Sequence, residues 1–495
     1  MPGFSFQGYS LETLLLGGAL LLTLSVLASR ISSRFGVPTL LIFLGIGMLA
    51  GSEGPGGIEF DNYPLSFAIG SVCLALIIFD GGMRTSWKSV RPILPVGISL
   101  SIVGTFVTGA VTGVFAKVAL GLSWTEGLLL GAIVSSTDAA AVFSILRAKS
   151  LSLKGALKQT LEFEAGSNDP MAIFLTVSVL AIATSKANGA AGLATMFLLQ
   201  GGLGLALGYA GGRSSTWLIN HVGIEYEGLY GVLLLGLVAI IFSATSALGG
   251  SGFLAVYVAG LCVGHSEILH KGSILRFVDG IAWIAQILVF LTLGLLSFPS
   301  HLLPHWKAGI LLSLFMMIIA RPLSVLVAAP TAKIGQKERL FISWVGLRGA
   351  APVILATLPW SAGIPNSEYF FNLVFFVVLT SVVVQGISIP WVASKLGITV
   401  PLRQKPAAEL SAGMLPAGFV TVEIETMESA PAISQRVLDL GLPAGVLLTS
   451  LERADRYLVP RGDTVVNPGD KIWGLARPSN IEALREIFGK AKIAT

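Results

Sequence analysis

Charge is scarce in this sequence. Only 12% of its 495 residues are Asp, Glu, Lys or Arg, against roughly 25% in soluble globular chains, while 54% are hydrophobic. That excludes an ordinary soluble domain over most of the length and points to a polytopic membrane protein. Cysteine is scarcer still: Cys73 and Cys262 are the two cysteines, and both fall in apolar runs. No disulfide framework or cysteine-based zinc site follows from them. The five histidines offer one close pair, His301 and His305, but Pro304 and a loop setting argue against a metal site. A basic leader is also lacking. Residues 1–10 carry no Lys or Arg, so the first apolar run, which stops at Arg30 and Arg34, reads as a span and not as a cleavable signal. The formal net charge of +5 is mostly loop charge, and it gives no reason to expect a nucleic-acid polymer as partner.

What the sequence has is apolar length. A spanning helix needs about 20 residues, and candidate windows lie near 11–29, 37–51, 65–83, 93–120, 124–146, 156–184, 190–219, 226–248, 251–264, 278–297, 306–329, 338–359 and 368–393. Lys and Arg collect in cytoplasmic loops. Alternating the thirteen windows puts Arg30, Arg34, Arg84, Lys88, Arg91, Arg147, Lys149, Lys154, Lys158, Arg213, Lys271, Arg276, Lys333, Lys337 and Arg339 on one side. Only Lys117, Lys186 and Lys307 fall on the other. The expectation is a protein of the cytoplasmic membrane with its N-terminus outside and its C-terminus in the cytoplasm.

Character changes after about residue 394. Residues 396–416 read as a linker, and 417–488 as a small soluble α+β domain. "FVTVEIET" alternates as a strand does; "SAPAISQRVLDLG" reads as a helix ending at Gly441; "GVLLTSLER", "RYLVPRGDTVV" and "DKIWGLA" read as strands; "SNIEALREIFG" reads as a final helix capped by Ser479 or Asn480. The segment has no His and no Cys, so Ser-His and Cys-His chemistry are excluded within it. Its carboxylates, Asp470 among them, read mostly as a solvated face, with Arg453, Arg456 and Arg461 free to meet an anion.

A charge at the bilayer centre costs at least ~2.5–3.5 kcal/mol on insertion scales, which makes each intramembrane ionisable residue a functional candidate. Asp80, Asp138, Glu162, Glu164, Asp169 and Arg348 qualify, with Arg321 later in its span. Asp138 and Asp169 each stand about 14 residues from their helix starts, near mid-depth at about 1.5 Å per residue. Asp138 follows Ser135, Ser136 and Thr137, whose hydroxyls compete for backbone and loosen a helix. Asp169 stands between Gly166 and Pro170, and the proline removes a backbone donor. Oxygen ligands at a helix break suit a hard monovalent ion. Arg348, between Gly346 and Gly349, needs a counter-charge because its own charge does not titrate away. Glu162 reads as a residue of the cytoplasmic mouth, and Arg321 as a side chain that snorkels or supports the cytoplasmic end of its helix. The fourth to sixth and eleventh to thirteenth spans run in opposite senses. The expected fold is therefore an all-α membrane protein of about 13 transmembrane helices with inverted repeats and broken crossing helices.

"SSTDAAAV", "EFEAGSNDPMA" and "GLRGAAPVILA", in this order and spacing, resemble the bacterial members of the cation/proton antiporter-1 family, which includes the sodium/proton exchangers. The resemblance covers about residues 1–395. It implies that Asn168 and Asp169 carry the ion, that Thr137 and Asp138 sit in the broken fifth span with Ser135 beside them, and that Glu164 pairs with Arg348. "IIFDGGMR" implicates Asp80, where the family often has Glu. The Asn-Asp pair resembles the electroneutral branch. The tail resembles the C-terminal lobe of TrkA-type regulators of potassium conductance, carried mostly by potassium/proton exchangers. Such lobes pair across a two-fold axis and bind small ligands, some of them nucleotides. The Rossmann-type lobe that often precedes it is missing, and no G-x-G-x-x-G follows a strand. The implied function is exchange of a monovalent cation, potassium before sodium, for protons, by a homodimer without cofactor or metal, and not an enzyme. Two rivals fail on motifs. The Gly-x-Gly-Asp signature of intramembrane aspartyl proteases and the Thr-Val-Gly-Tyr-Gly filter of potassium channels are both absent.

Overall fold

The computed structural model describes residues 5–6, 9–35, 38–85, 90–184, 189–329, 334–401, 419–453 and 456–493. It divides into two compact units, a large helical one reaching Leu402 and a small one in the C-terminal region.

The helical unit runs α1 (Leu11–Phe35), α2 (Thr39–Ala50), α3 (Tyr63–Arg84), α4 (Arg91–Leu120), α5 (Trp124–Ile133), α6 (Ala139–Ala148), α7 (Leu157–Ala183) and α8 (Gly189–His221). It continues with α9 (Gly228–Ala247), α10 (Gly252–His265), α11 (Lys271–Leu295), α12 (Pro299–Ala328), α13 (Gln336–Trp344), α14 (Ala350–Ser361) and α15 (Ser367–Leu396). Among the described residues, eight of these are long and apolar enough to cross a membrane: α3, α4, α7, α8, α9, α11, α12 and α15. The rest are shorter or, in α1, apolar only over Leu15–Arg30, and every apolar window of the sequence contains helix. Starts follow local chemistry: Asn62 caps α3, Ser251 caps α10, and Ser123 with Glu126 forms a capping box on α5.

Glycine lets the helices approach closely. A Cβ at Gly260 of α10 would stand 2.5 Å from the Phe79 carbonyl of α3, and one at Gly131 of α5 would stand 2.1 Å from the Gly109 carbonyl of α4.

Two features interrupt this regularity. The chain is non-helical over 134–138, between α5 and α6, and over 345–349, between α13 and α14. Three long helices also contain a π-helical turn: Leu100–Gly104 in α4, Met316–Ala320 in α12 and Ser381–Gln385 in α15. Such turns recur at functional sites.

The linker expected from residue 396 starts later. Thr399–Pro401 (β2) pairs antiparallel with Leu151–Leu153 (β1) in the α6–α7 connection, and Lys154 Nζ donates to the Gly397 carbonyl at 2.9 Å. The remainder of that segment, 402–418, lies outside the described residues.

The C-terminal unit is a five-stranded antiparallel sheet of order β5-β4-β6-β3-β7. Its strands are β3 (Val420–Thr426), β4 (Leu447–Arg453), β5 (Arg456–Leu458), β6 (Lys471–Ala476) and β7 (Gly489–Ile493). One helix, α16 (Ile481–Phe488), contributes Leu484 and Phe488 to a core with Val422, Ile424, Leu451 and Ile472. Three expectations fail here, the first being the strand read over "RYLVPRGDTVV", which covers only Arg456–Leu458. The segment read as a helix before Gly441 is turns with a single 3-10 turn, Val437–Asp439. Ser434 takes φ 64°, and the amides of Ser434 and Val437 bond to the Val466 and Thr464 carbonyls, so the backbone spends its hydrogen bonds sideways. Asp470 is not solvated. It is 1% exposed and held by Arg453 at 2.8 and 2.7 Å, which also removes Arg453 from the arginines free to meet an anion.

Candidate ion-binding site

The two helix breaks meet. The Asp138 amide donates to the Leu347 carbonyl at 2.7 Å, tying the 134–138 break to the 345–349 break. Each break leaves helix-end carbonyls without intrahelical partners, and buried side chains supply the donors. Arg348 Nη1 donates to the Ser135 carbonyl at 2.9 Å and to the Ser136 carbonyl. Gln385 Nε2 donates to the Trp344 carbonyl at 2.7 Å. A guanidinium at the negative end of α5 also offsets that helix's dipole. The Arg348 backbone is held in turn by Ser381 Oγ, in the π-helical turn of α15.

Asp138 caps α6 through Oδ1 to the Ala141 amide at 3.2 Å. Its other oxygen lies against Gly349, where a Cβ would come within 2.2 Å of it. Only glycine fits.

On α7, the Asn168 Nδ2 donates to Thr137 Oγ1 at 2.7 Å. This bond fixes which way the amide points. Asn168 Oδ1 is then buried with no hydrogen-bond partner among the described residues. The next residue, Asp169, lies beside Asp138 and Ser136, with no basic side chain paired to it among the described residues. Ser136, Thr137, Asp138 and Asp169 line one cavity of about 170 Å³, which continues past Gln286 to Glu162, Asp80, Arg84, Arg147 and Asp279.

The sequence-predicted residues are therefore brought together with one exception of role and one of partner. Asp169, Asp138 and Thr137 line the cavity; Asn168 adjoins it through Thr137; Ser135 contributes its backbone carbonyl to Arg348 rather than its hydroxyl to the cavity, since that hydroxyl donates to the Ala132 carbonyl. The expected Glu164–Arg348 pair is not formed. Glu164 is bound by both terminal nitrogens of Arg321, at 2.6 and 3.0 Å, with both residues within 3% of full burial. The reason is geometric. The π-helical turn Met316–Ala320 precedes Arg321 directly and adds a residue to the local turn, so Arg321 faces α7, while Arg348 is consumed by carbonyls. Arg321 does not snorkel. Asp80, further along the cavity, pairs with Arg84 at 2.7 Å, and Arg84 also contacts Asp279. Glu162 pairs with Lys158 at 3.6 Å.

Sequence reasoning missed Asp279, Gln286 and the role of Arg321. The signal for Asp279 was present: an acid in "RFVDGIAWIAQ", at the edge of an apolar window. No clustered metal-ligand set of His, Cys, Asp and Glu exists among the described residues. The oxygen-rich site fits a singly charged cation that travels through it better than a resident divalent one.

With this geometry in hand, comparison with known proteins is direct. Residues 19–395 match the transmembrane sodium/hydrogen exchanger family, and 421–489 match the TrkA-C domain. The chain belongs to the sodium/hydrogen exchanger family. It is 42% identical over 489 residues to a K(+)/H(+) antiporter NhaP2 of Shewanella sp. (strain ANA-3), covering 97% of this chain and 84% of that one. It is 39% identical to a K(+)/H(+) antiporter NhaP of Alkalimonas amylolytica, covering 97% and 83%. Among solved structures it shares the fold of the sodium proton antiporter MjNhaP1 from Methanocaldococcus jannaschii, with a TM-score of 0.66, 21% identity, and coverage of 75% of this chain and 99% of that one.

Proposed function

We propose that this protein is a secondary antiporter of the cytoplasmic membrane that exchanges a monovalent cation, potassium before sodium, for protons by alternating access. The observation that carries the reading is Asp169: an acid without a basic partner among the described residues, beside Asp138, at the crossing of two broken helices and lining the polar cavity. A proton and a cation compete for this one carboxylate, so binding one releases the other. Asn168 Oδ1, Thr137 and the Asp138 carboxylate supply further oxygens. Potassium is favoured over sodium by the names of the relatives that share both the helical unit and the tail. Thirteen crossings, with α4–α7 and α12–α15 as inverted three-span units, N-terminus outside and tail in the cytoplasm, complete the reading. The paired breaks and the loop charges support it.

Fluorescence dequenching in everted vesicles tests the assignment. Wild-type protein dissipates a pH gradient on addition of potassium, and Asp169→Asn, at equal membrane content, does not. Cation-dependent proton movement retained in that variant would overturn the role of Asp169. Because Asn168 adds no titratable charge, exchange is one proton per cation. Transport in proteoliposomes is then indifferent to an imposed voltage at constant pH gradient, and acceleration by voltage refutes the stoichiometry.

The tail, 417–488, is a regulatory unit, dimeric with the transporter, and Arg461 is an exposed arginine available to a nucleotide or other small anion. Coupling requires that its ligand favour one transporter state. The β1–β2 pairing offers the route, because the residues leading to the tail are hydrogen-bonded to the loop that starts α7. A truncation after residue 402 keeps that pairing. It leaves exchange intact and moves its pH profile or nucleotide response; complete loss of transport in a folded truncation would make the tail part of the exchange machinery.

A further inference from the structure

A second cavity lies on the other face of α7. It measures about 1010 Å³ and is bounded by α4, α7, α8 and α10, at the upper end of the ~300–1,000 Å³ usual for compact small-molecule pockets. Its walls are apolar, with Ile98, Phe174, Leu205 and Val258 typical of them. Along α8 it reaches from Phe197 to Arg213, sixteen residues or roughly 24 Å at about 1.5 Å per residue. That is most of the ~30 Å hydrocarbon thickness of a bilayer. The basic side chains gather at one end. Arg213, His265 and Ser266 line it there, and Arg213 and His265 are exposed, with no carboxylate partner among the described residues. The positive-inside distribution assigns this end to the cytoplasmic side. A long apolar slot closed by a cationic head at the leaflet surface has the shape and charge of one molecule.

We propose that this crevice binds an anionic phospholipid of the cytoplasmic leaflet, acyl chains along α8 and phosphate at Arg213 and His265. A lipid there touches the helix that carries Asp169. Ser167, Pro170 and Met171 line the apolar crevice, while Gly166 and Asp169 line the polar cavity. Between the two cavities stands Tyr257, packed so closely on Gly166 that a Cβ there would meet its ring at 2.3 Å, and edge-on to Phe163 with ring centroids 6.3 Å apart. The lipid therefore seals the polar cavity laterally and occupies space into which α7 would otherwise shift against α8 and α10.

The full-length protein in phosphatidylcholine nanodiscs, doped with a diazirine-acyl analogue of either phosphatidylglycerol or phosphatidylcholine, tests this. Illumination and peptide mapping locate the adducts. The phosphatidylglycerol analogue labels 197–213 and 254–262 in preference to the phosphatidylcholine analogue, whereas exposed Leu20 and Leu24 of α1 take both equally. Arg213→Gln with His265→Gln lowers the phosphatidylglycerol signal in the crevice by about fivefold, the worth of one basic group near a membrane surface. Gly201 lines the crevice and a Cβ there meets open space, so Gly201→Phe fills the slot and abolishes labelling by either analogue. If that variant does not fold, Gly202→Leu, which also points into open space, replaces it. Equal labelling by the two headgroups, an unchanged ratio in the neutralised variant, or undiminished labelling in the filled one overturns the proposal.

Discussion

Glu164 and Asp169 stand five residues apart on one helix and meet opposite surroundings. Glu164 is dry, 1% exposed, and clamped by both nitrogens of Arg321. Asp169 faces a cavity beside another carboxylate, Asp138, and no basic side chain pairs with it among the described residues. Around Glu164 the structure has already chosen a cation and fixed it with two hydrogen bonds. Around Asp169 the choice is left to whatever enters. On the proposed reading a transporter needs both arrangements: a compensated pair that holds α7 to α12, and an uncompensated acid that changes partner in each cycle. The π-helical turns sort with the first kind. They adjoin Arg321, hold the Arg348 amide through Ser381, and bring Ser101 within 3.3 Å of the Glu164 carbonyl.

The comparison breaks most sharply through stability. Removing one member of a buried pair strands the other charge, at a cost of about 3–5 kcal/mol. Arg321→Met and Glu164→Leu each destabilise the fold by that much, read as lower folded yield and melting temperature in detergent, while the double variant recovers most of the loss. Asp169→Asn, by contrast, changes stability by no more than about 1 kcal/mol yet removes exchange. A destabilised Asp169→Asn together with a tolerated Arg321→Met would invert the roles of the two sites.

A smaller effect sharpens the description of the open site. Thr137→Val takes the acceptor from the Asn168 amide, and a buried donor left unsatisfied costs about 1–3 kcal/mol. The apparent KM for the cation rises by about tenfold or more with maximal rate less affected, because the amide loses its fixed orientation while Asp169 stays. An unchanged KM would remove Asn168 Oδ1 from the ligand set.

Much of this site is legible in the sequence because helix breaking is local chemistry. Ser135, Ser136 and Thr137 before Asp138, and Gly346 and Gly349 with Pro352 around Arg348, mark both interruptions without any tertiary information. Partner choice is not local. Whether Arg321 or Arg348 reaches Glu164 depends on helix rotation, and the π-helical turn at Met316–Ala320 changes that rotation with no residue signature. The same limit applies in the tail. Its alternating strands announce themselves, but the apolar positions before Gly441 mimic a helix while Pro431 and Ser434, at φ 64°, turn the chain. The strand Gly489–Ile493 was hidden because its partner, Val420–Thr426, lies about 70 residues away.

The tail carries its own compensated pair, weaker than that of the membrane unit because Arg453 is 33% exposed while Asp470 is 1% exposed. Arg453→Gln costs about 1–2 kcal/mol after allowance for solvent screening. Hydrogen exchange of residues 419–493 speeds up, while exchange of cation for proton at saturating substrate is unchanged. Loss of transport in that variant would mean that tail order is required for turnover.

The smallest effect lies at the opposite end of the charge scale, on Glu53 in the loop after α2. This carboxylate is exposed and held by the hydroxyl and amide of Ser300, the amide at 2.8 Å. Those hydrogen bonds hold its pKa below the ordinary 4.5. A depressed acid stabilises the folded state above its unfolded pKa, and the contribution disappears as pH falls through the lower folded value. Glu53→Gln therefore melts slightly below wild type from neutrality down to about pH 4.5, and the two curves converge in more acidic buffer. The Ser300→Ala variant follows the same course, since the hydroxyl is the leading cause of the shift. Unlike Glu164, Glu53 can lose its partner to water, so its removal leaves folding and exchange intact; a loss as large as that of Glu164→Leu would mean that this outer contact, too, is a structural clamp.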